Sequence, residues 1–365
     1  MQTKQALPLV LAALFTAPAV WAESALIPSA TDTAPAAQEE GLVAGPFKLT
    51  GTIRARADGG DTDSNYAGKA NQPSATHSHL NFDVFPSVRL YKDWRVVGEF
   101  ESQLNLHDKN KDFFDNNNHM HRFANTNKLW LEGTVYDKVK TRLGRFGAFS
   151  SYGRVLDNEV VGGELAFNYK YPVKVTAGHV TKHFNDNPWG VEAHRDPIYA
   201  IQSSIPVGDN AHIGGTYTYV HGFNNNGKKD NASFIEIGAD VKPIQDVSLM
   251  AAFSHSTIDD VKDSAGNKVK QNGWFTQAQY KNADLKTPNS YDVYLNYRNV
   301  GGMSGISSTN DYSKNVKGVQ VGGDYVLLKN LKLGAFYLAG KQVNPTVGTE
   351  KQDVNVWRTQ LEYSF

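Results

Sequence analysis

The chain has 365 residues, of which 40% are hydrophobic and 20% are charged, and its 37 basic side chains are balanced by 37 acidic ones. This balance argues against nucleic-acid binding, which requires a basic excess. The chain contains no cysteine, which excludes a disulfide framework, thiol redox chemistry and cysteine-ligated zinc. The mean hydropathy of −0.46 is typical of a soluble protein. A membrane protein could share this value only if its apolar residues were distributed on one side of each element.

The N-terminal segment differs in composition from the rest of the chain. Lys4 precedes an apolar run from Ala6 to Val20, and Ala22 stands before Glu23 as the small residue of a cleavage site. This pattern predicts a secretory signal peptide over 1–22, too short to span a bilayer. Residues 23–45 are rich in Ala, Pro, Thr and Ser. They predict a flexible periplasmic spacer, with the alternative that this segment folds back and plugs another part of the protein.

From Phe47 onward the dominant period is two. The first segment alternates apolar Leu49 and Ile53 with polar Lys48 and Arg54. The same alternation recurs in five further segments, which are 94–106, 129–136, 235–241, 291–298 and 357–365. Such a pattern predicts strands with one face toward an apolar phase and one toward water.

The connections between these strands alternate in length. Seven short turns and eight long polar loops, one of them at 222–230, join sixteen predicted strands. Aromatic residues cluster beside the short turns, as at Tyr136, and toward the long loops, as at Trp357, which is typical of two lipid interfaces. The prediction is an all-β fold: a transmembrane antiparallel β-barrel of about 16 strands, an up-and-down meander covering 46–365. Pro86 lies inside a strand and predicts a β-bulge there.

Two further segments carry a resemblance to a known family. Residues 140–147 (KTRLGRFG) form a strand ending, and the chain closes on Leu361-Glu362-Tyr363-Ser364-Phe365 with its terminal aromatic residue. With the alternating strands, these segments resemble the sixteen-stranded outer-membrane porins of Gram-negative bacteria.

The resemblance implies an outer-membrane location, contact with lipid, and assembly as a homotrimer. It also implies that Phe365 is the signal read by the barrel-assembly machinery. In such porins the loop after the fifth strand folds inward to constrict the pore. That loop corresponds here to about 148–161, and the candidate constriction residues are Tyr152, Arg154, Asp157 and Glu159.

A porin of this kind is a water-filled channel for passive diffusion of small hydrophilic solutes and ions. Strand parity predicts the charged residues that line the pore: Arg54, Arg56, Arg89, Arg95, Glu99, Glu101, Lys140, Arg142, Glu236, Asp240, Arg298 and Arg358. A slight basic excess predicts a weak anion preference, and a basic wall facing Asp157 and Glu159 would create a transverse field. Alternatively, these charges only pair with cross-strand neighbours and keep the wall solvated.

The sequence indicates neither an enzyme nor a cofactor. No Ser/His/Asp spacing, phosphate-binding loop or H-E-x-x-H pattern is present. The pairs His77/His79 and His119/His121 are interpreted as solvated residues near loops, so no metal site is predicted. Two other functions remain open. One is a channel of the same fold selective for sugars or anions, and the other is a surface adhesin anchored by the barrel.

Overall fold

A computed structural model describes residues 42–60, 75–106, 126–136, 138–167, 169, 171–181, 188–193, 195–306 and 314–365. In these residues it contains no helix long and apolar enough to cross a membrane. The strands are β1 Leu42–Ala44, β2 Phe47–Gly60, β3 Ala75–Tyr91, β4 Trp94–Asn105, β5 Thr126–Val135, β6 Val139–Phe149, β7 Asp157–Phe167, β8 Val173–Val180, β9 Val191–Glu192, β10 Pro197–Val207, β11 Ala211–Asn225, β12 Lys228–Ile244, β13 Val247–Ser256, β14 Asn272–Lys281, β15 Tyr291–Val300, β16 Val316–Leu328, β17 Leu331–Gln342 and β18 Asp353–Ser364.

The strands form one closed antiparallel sheet. Each long strand pairs with its neighbour in sequence, β8 pairs with β10, and β18 pairs back onto β2 from Val356 opposite Gly60 to Ser364 opposite Thr52. The short strands β1 and β9 add to β2 and β11. Without these two, sixteen strands make the barrel wall. The predicted sixteen-stranded meander is therefore confirmed.

The two faces of the wall differ as the period of two requires. In β12, Glu236 and Asp240 face inward and are buried, whereas Ile235 and Ile237 face outward and are exposed. Large apolar side chains are exposed around the whole barrel, with Tyr136 and Tyr171 near the short turns and Trp274 near the long loops. An apolar outer band with aromatic girdles at both ends matches a bilayer rather than water.

Short turns join consecutive strands at one end of the barrel, called here the turn end; the opposite end is called the loop end. All seven predicted short turns are found between consecutive strands, and left-handed residues such as Lys92 (φ 52°), Asp246 (φ 68°) and Asn330 (φ 66°) allow the chain to reverse within them.

The prediction of a long loop at 222–230 is wrong. Strands β11 and β12 extend to Asn225 and from Lys228, and only Asn226 and Gly227 separate them. Both residues have positive φ values, 51° and 84°. An Asn-Gly pair in this conformation is the favoured two-residue hairpin turn, so the polar residues on either side belong to strands that project beyond the barrel wall.

Pro86 does not produce the predicted bulge. The register between β2 and β3 is unbroken from Phe47 opposite Val88 to Gly60 opposite Ala75, with Leu49 opposite Pro86. On the β4 side the pairing skips Phe85 and Pro86 and resumes at Ser87 in the same register. Pro86 has no N–H to donate, so the pairing between β3 and β4 is interrupted there. No extra residue is inserted, and the register is unchanged.

The C-terminal residue completes the closure of the sheet. Phe365 donates its N–H to the Gly51 carbonyl at 3.0 Å and accepts from the Gly51 N–H at 2.9 Å. Its ring covers Gly51, where a Cβ would lie 2.5 Å from the ring. Immediately beyond, β1 pairs with β2 at Phe47, Lys48 and Leu49. Strand β1 thus covers the edge of β2 that β18 leaves open. It lies within the segment predicted as spacer, and residues 1–41 lie outside the described residues.

The outer band generates a first prediction. Ile237 is 57% exposed in the middle of β12. In a bilayer, the substitution Ile237→Arg should lower the free energy of unfolding by about 2–4 kcal/mol, because a charge at the midplane loses its hydration. Denaturant titration in lipid vesicles measures the change.

Val207→Arg is the matched control. Val207 is also exposed, at 50%, but it ends β10 at the turn end. At this position the arginine should lower the free energy of unfolding by only about 0–1 kcal/mol, because its charge can contact lipid headgroups and water. Equal costs at both positions would contradict a lipid-facing band.

Candidate functional site

The loop between β6 and β7 folds into the barrel. It comprises residues 150–156, and all seven are buried. It follows the fifth long strand of the wall, which is the position at which the resemblance implies a constriction. Its residues contact β10, β11 and β12 on the opposite side: the Ser151 hydroxyl donates to the carbonyl of Ser203 at 3.4 Å and to that of Gly215 at 3.1 Å.

One carboxylate holds this loop in place. Glu236 on β12 is fully buried, and it accepts hydrogen bonds from the N–H groups of Tyr152 at 2.7 Å, Arg154 at 2.5 Å and Val155 at 3.2 Å, and from the Ser150 hydroxyl at 2.7 Å. A buried carboxylate is costly unless its oxygens are satisfied. Here the turn of the loop supplies the donors, so the loop and the charge stabilise each other.

Tyr152 fits against two glycines of the wall. A Cβ at Gly238 would lie 2.6 Å from the Tyr152 ring, and one at Gly214 would lie 2.9 Å from it. Both positions must lack a side chain for the ring to approach the sheet. The Tyr152 hydroxyl donates to Asp240 Oδ1 at 3.2 Å, and His212 Nδ1 lies 2.9 Å from Asp240 Oδ2. The loop therefore contacts both predicted acids of β12.

Arg154 brings a positive charge from the loop toward the wall. Its guanidinium lies 4.3 Å from the centroid of the Phe275 ring, and the guanidinium of Arg298 lies 5.7 Å from the same ring. Burial lowers the pKa of Arg154 to about 10, with Glu236 opposing the shift, so this side chain stays charged at neutral pH. Two buried arginines and one aromatic ring thus lie together where the loop meets the wall. Phe275 was missed because inward parity alone gives no reason to single it out.

Three other predicted arginines of the wall, on β2 and β18, have acidic or amide partners. Arg54 Nε lies 2.8 Å from Glu362, Arg56 Nε donates to Gln360 at 3.3 Å, and Arg358 is paired with Asp58. Arg358 also lies over the Phe336 ring at 5.4 Å. These partners stand one strand away on the same face, which is the cross-strand arrangement that the alternative interpretation of these charges describes.

The remaining predicted residues of the wall lie on β3 to β6. Glu99 accepts from Lys128 at 2.8 Å and 2.9 Å, and Glu101 stands opposite Asp83. Arg95 and Arg142 share Glu132, at 2.5 Å and 3.7 Å. Arg89 and Lys140 lie beside these two arginines at the turn end. The structure thus places all twelve predicted residues of the wall on inward positions.

The structure corrects the two acids of the predicted constriction loop. Asp157 and Glu159 lie in β7, beyond the loop, because the strand begins at Asp157. Glu159 is on the outward parity and pairs with Arg145 at 2.5 Å. The acidic loop facing a basic wall is therefore not found. The arrangement is reversed: the loop contributes Arg154, and the wall contributes Glu236 and Asp240.

An apolar cluster narrows the loop end beside this constriction. It joins inward residues of the wall to residues of the loops. Its largest members include Phe146, Phe223 and Phe234 from strands and Trp189 and Met303 from loops. Trp189 packs so closely on Gly302 that a Cβ there would lie 2.2 Å from the ring. Sequence parity gave no sign of this cluster, because its loops carry mainly polar residues.

The chain was compared with family models, with curated proteins and with solved structures. No family model matches the chain, and no curated protein matches its sequence. Solved structures do match. Pseudomonas putida OprB aligns with a TM-score of 0.56 and 11% identity, covering 88% of this chain and 94% of that one. Salmonella typhi OmpF in complex with daunomycin aligns at 0.55 and 12%, covering 87% and 97%.

A substituted porin of Rhodobacter blastica aligns at a TM-score of 0.50 and 10% identity, over 87% of this chain and 100% of that one. The chain has the fold of the bacterial porins. At these identities the similarity concerns the fold, and the details of the lumen come from this chain's own residues.

The role of Glu236 generates a second prediction. Glu236→Ala removes the acceptor for three loop amides, so the loop should detach from β12 more often. Hydrogen–deuterium exchange at 152–155 should rise by about tenfold to a hundredfold, since each 1.4 kcal/mol of lost stability is a factor of ten.

Glu99→Ala serves as the control for this measurement. Glu99 is also a buried, inward carboxylate, but its described partner is the side chain of Lys128. Its removal should leave exchange at 152–155 unchanged. Unchanged exchange in Glu236→Ala as well would show that Glu236 does not hold the loop.

Proposed function

We propose that this protein is a porin-type channel through which small hydrophilic solutes and ions diffuse passively across an outer membrane. The observation that carries the proposal is the loop 150–156, which folds into a closed, polar-lined barrel and is fixed there by Glu236. A barrel with an apolar outside and a narrowed, charged inside has the parts that a diffusion channel needs.

The same observation favours a channel over the other functions left open by the sequence. A barrel that only anchored an adhesin would need its loops directed outward, whereas this loop is buried between β6 and β12. Passive diffusion requires no catalytic group, so we do not propose an enzyme. Selectivity for one sugar or anion would require a binding site in addition to the constriction.

The location and assembly state follow from the outer surface and from the resemblance. The exposed apolar band and its aromatic girdles support an outer-membrane location, to which the predicted signal peptide would direct the chain. We expect a homotrimer, and we expect Phe365 to be read by the barrel-assembly machinery. The pairing of Phe365 with Gly51 supports a part for this residue in closing the barrel.

A weak anion preference is the selectivity that the constriction supports. Arg154 and Arg298 both lie over the Phe275 ring, at 4.3 Å and 5.7 Å from its centroid, whereas the charge of Glu236 accepts hydrogen bonds from loop amides. Ions that pass the constriction should therefore meet more positive than negative potential.

The channel is tested by conductance. The purified, folded protein added to planar bilayers should produce stepwise increases in current in KCl. Folding is checked by the shift in electrophoretic mobility on heating. A preparation that is folded and inserted but conducts no current would contradict the proposed function.

The anion preference is tested with Arg154→Gln. One unit charge about 10 Å from a passing ion in water contributes about 0.4 kcal/mol, so the chloride-to-potassium permeability ratio should fall by about twofold. The reversal potential in a KCl gradient measures this ratio. Lys317→Gln is the control, because Lys317 is exposed on the outward face of β16. An equal change in both variants would show that Arg154 has no special effect.

A further inference from the structure

A second charged region lies at the turn end of the lumen, away from the constriction. It is an open cavity of about 670 Å³, called here the turn-end cavity, lined by residues of β2 to β6 and of the hairpin that joins β1 to β2. Val43 and Pro46 of that hairpin lie on one side, and Thr134 and Lys140 lie on the other. The volume is in the range of pockets that hold small organic ligands.

Cations dominate the walls of this cavity. Six basic side chains line it: Lys48, Arg89, Lys92, Arg95, Lys140 and Arg142. Only two acidic residues, Asp93 and Glu132, lie among the same lining residues. Asp93 is in the turn after β3, where a hydrogen bond with the Thr134 side chain lowers its pKa and keeps it ionised. Even with both acids ionised, the six basic side chains outnumber them.

The strand register brings like charges together here. Arg89 and Arg95 stand directly opposite each other on β3 and β4, and Lys140 and Arg142 follow each other on the inward face of β6. Like charges directly opposite in a sheet are destabilising. Arg54 with Glu362 shows the opposite arrangement, in which a cation faces an acid on the neighbouring strand. In the turn-end cavity the like-charge pair consists of two cations.

Glu132 compensates this charge only in part. Its two oxygens accept from Arg95 Nε at 2.6 Å and from Trp130 Nε1 at 2.7 Å, and Arg142 lies 3.7 Å away. Arg142 also lies 3.6 Å from Glu164. These two carboxylates orient two arginines without matching the six cations. Guanidinium groups held in this way are preorganised to bind phosphate or carboxylate oxygens.

We propose that the turn-end cavity is a binding site for small anions that carry several phosphate or carboxylate groups. The like-charge pair and the excess cations provide the attraction, and the cavity is larger than one inorganic ion requires. The site lies on the lumen, so solutes reach it through the channel proposed above, and in this respect the inference rests on that function.

Carboxylate groups are also present in the chain itself, close to the cavity in sequence. Residues 23–41 contain Glu23, Asp32, Glu39 and Glu40 and no lysine or arginine, and they lead into β1, whose Val43 lines the cavity. The anion could therefore be a diffusing solute or these carboxylates. The experiment needs one arm for each source.

The test measures binding of inorganic pyrophosphate to the folded protein in detergent by isothermal titration calorimetry. In the double variant Arg89→Gln/Lys140→Gln, the dissociation constant should rise at least about tenfold, as for the loss of two charge-assisted contacts. Glu132→Gln should instead lower the dissociation constant, because Arg95 loses the carboxylate with which it pairs and Arg142 keeps only Glu164. Acetate, with a single charge, should bind far more weakly than pyrophosphate.

Lys242→Gln is the matched control. Lys242 is an inward lysine near the turn end of β12, outside the cavity lining, and its loss should leave the dissociation constant within about twofold, the effect of a distant charge in water. Absence of binding both by the unaltered protein and by the protein that lacks residues 23–40, or equal effects of the double variant and the control, would overturn the proposal.

Deletion of residues 23–40 distinguishes the two sources of the anion. Tighter pyrophosphate binding after deletion would identify these carboxylates as the competing occupant, and unchanged binding would identify a free solute; the site exists in both cases. Calorimetry measures binding whether or not the protein conducts ions. Binding without conductance would therefore refute the channel and keep the site, and conductance without binding would refute the site and keep the channel.

Discussion

The requirement that every backbone N–H and C=O in a membrane be paired is the constraint on which this structure depends. An open sheet of sixteen strands would leave two unpaired edges. The pairing of β18 with β2 removes them, the terminal Phe365 extends it to Gly51, and β1 continues along the same edge. Once the sheet is closed, each strand must have one face outside and one inside, and the period of two in the sequence follows.

Closure also determines how the interior can hold charge. An inward side chain has its nearest neighbours one strand away on the same face, so charges are compensated across strands. Arg54 with Glu362 and Lys332 with Asp324 are such pairs. A buried charge without a partner is costly, and Glu236 is stabilised by the amides of a loop. The constriction is therefore a consequence of satisfying one carboxylate.

The sequence predicted the features that depend on local pattern. Strand number, inward and outward faces and the seven short turns all follow from neighbours in the chain. The Asn226-Gly227 pair is also a local signal for a hairpin turn. The polar residues around it nevertheless suggested a loop, because strands that project into water lose the alternation of apolar and polar residues. Contacts between residues on opposite sides of the lumen could not be predicted from the sequence. Parity places Glu236 inside, yet its partners lie 81 to 86 residues away along the chain, and no local signal joins them.

The distribution of unbalanced charge along the lumen is the last consequence of this architecture. Between the constriction and the turn end, the walls of β2, β17 and β18 pair cations with acids, so this stretch offers little net attraction. Arg154 and Arg298 stand on one side of it, and the turn-end cavity stands on the other. Conduction through a pore requires sites that attract an ion strongly enough to enter and weakly enough to leave. Two cationic regions separated by a compensated wall satisfy this requirement better than one continuous basic surface, because an anion is never held by all the positive charges at once.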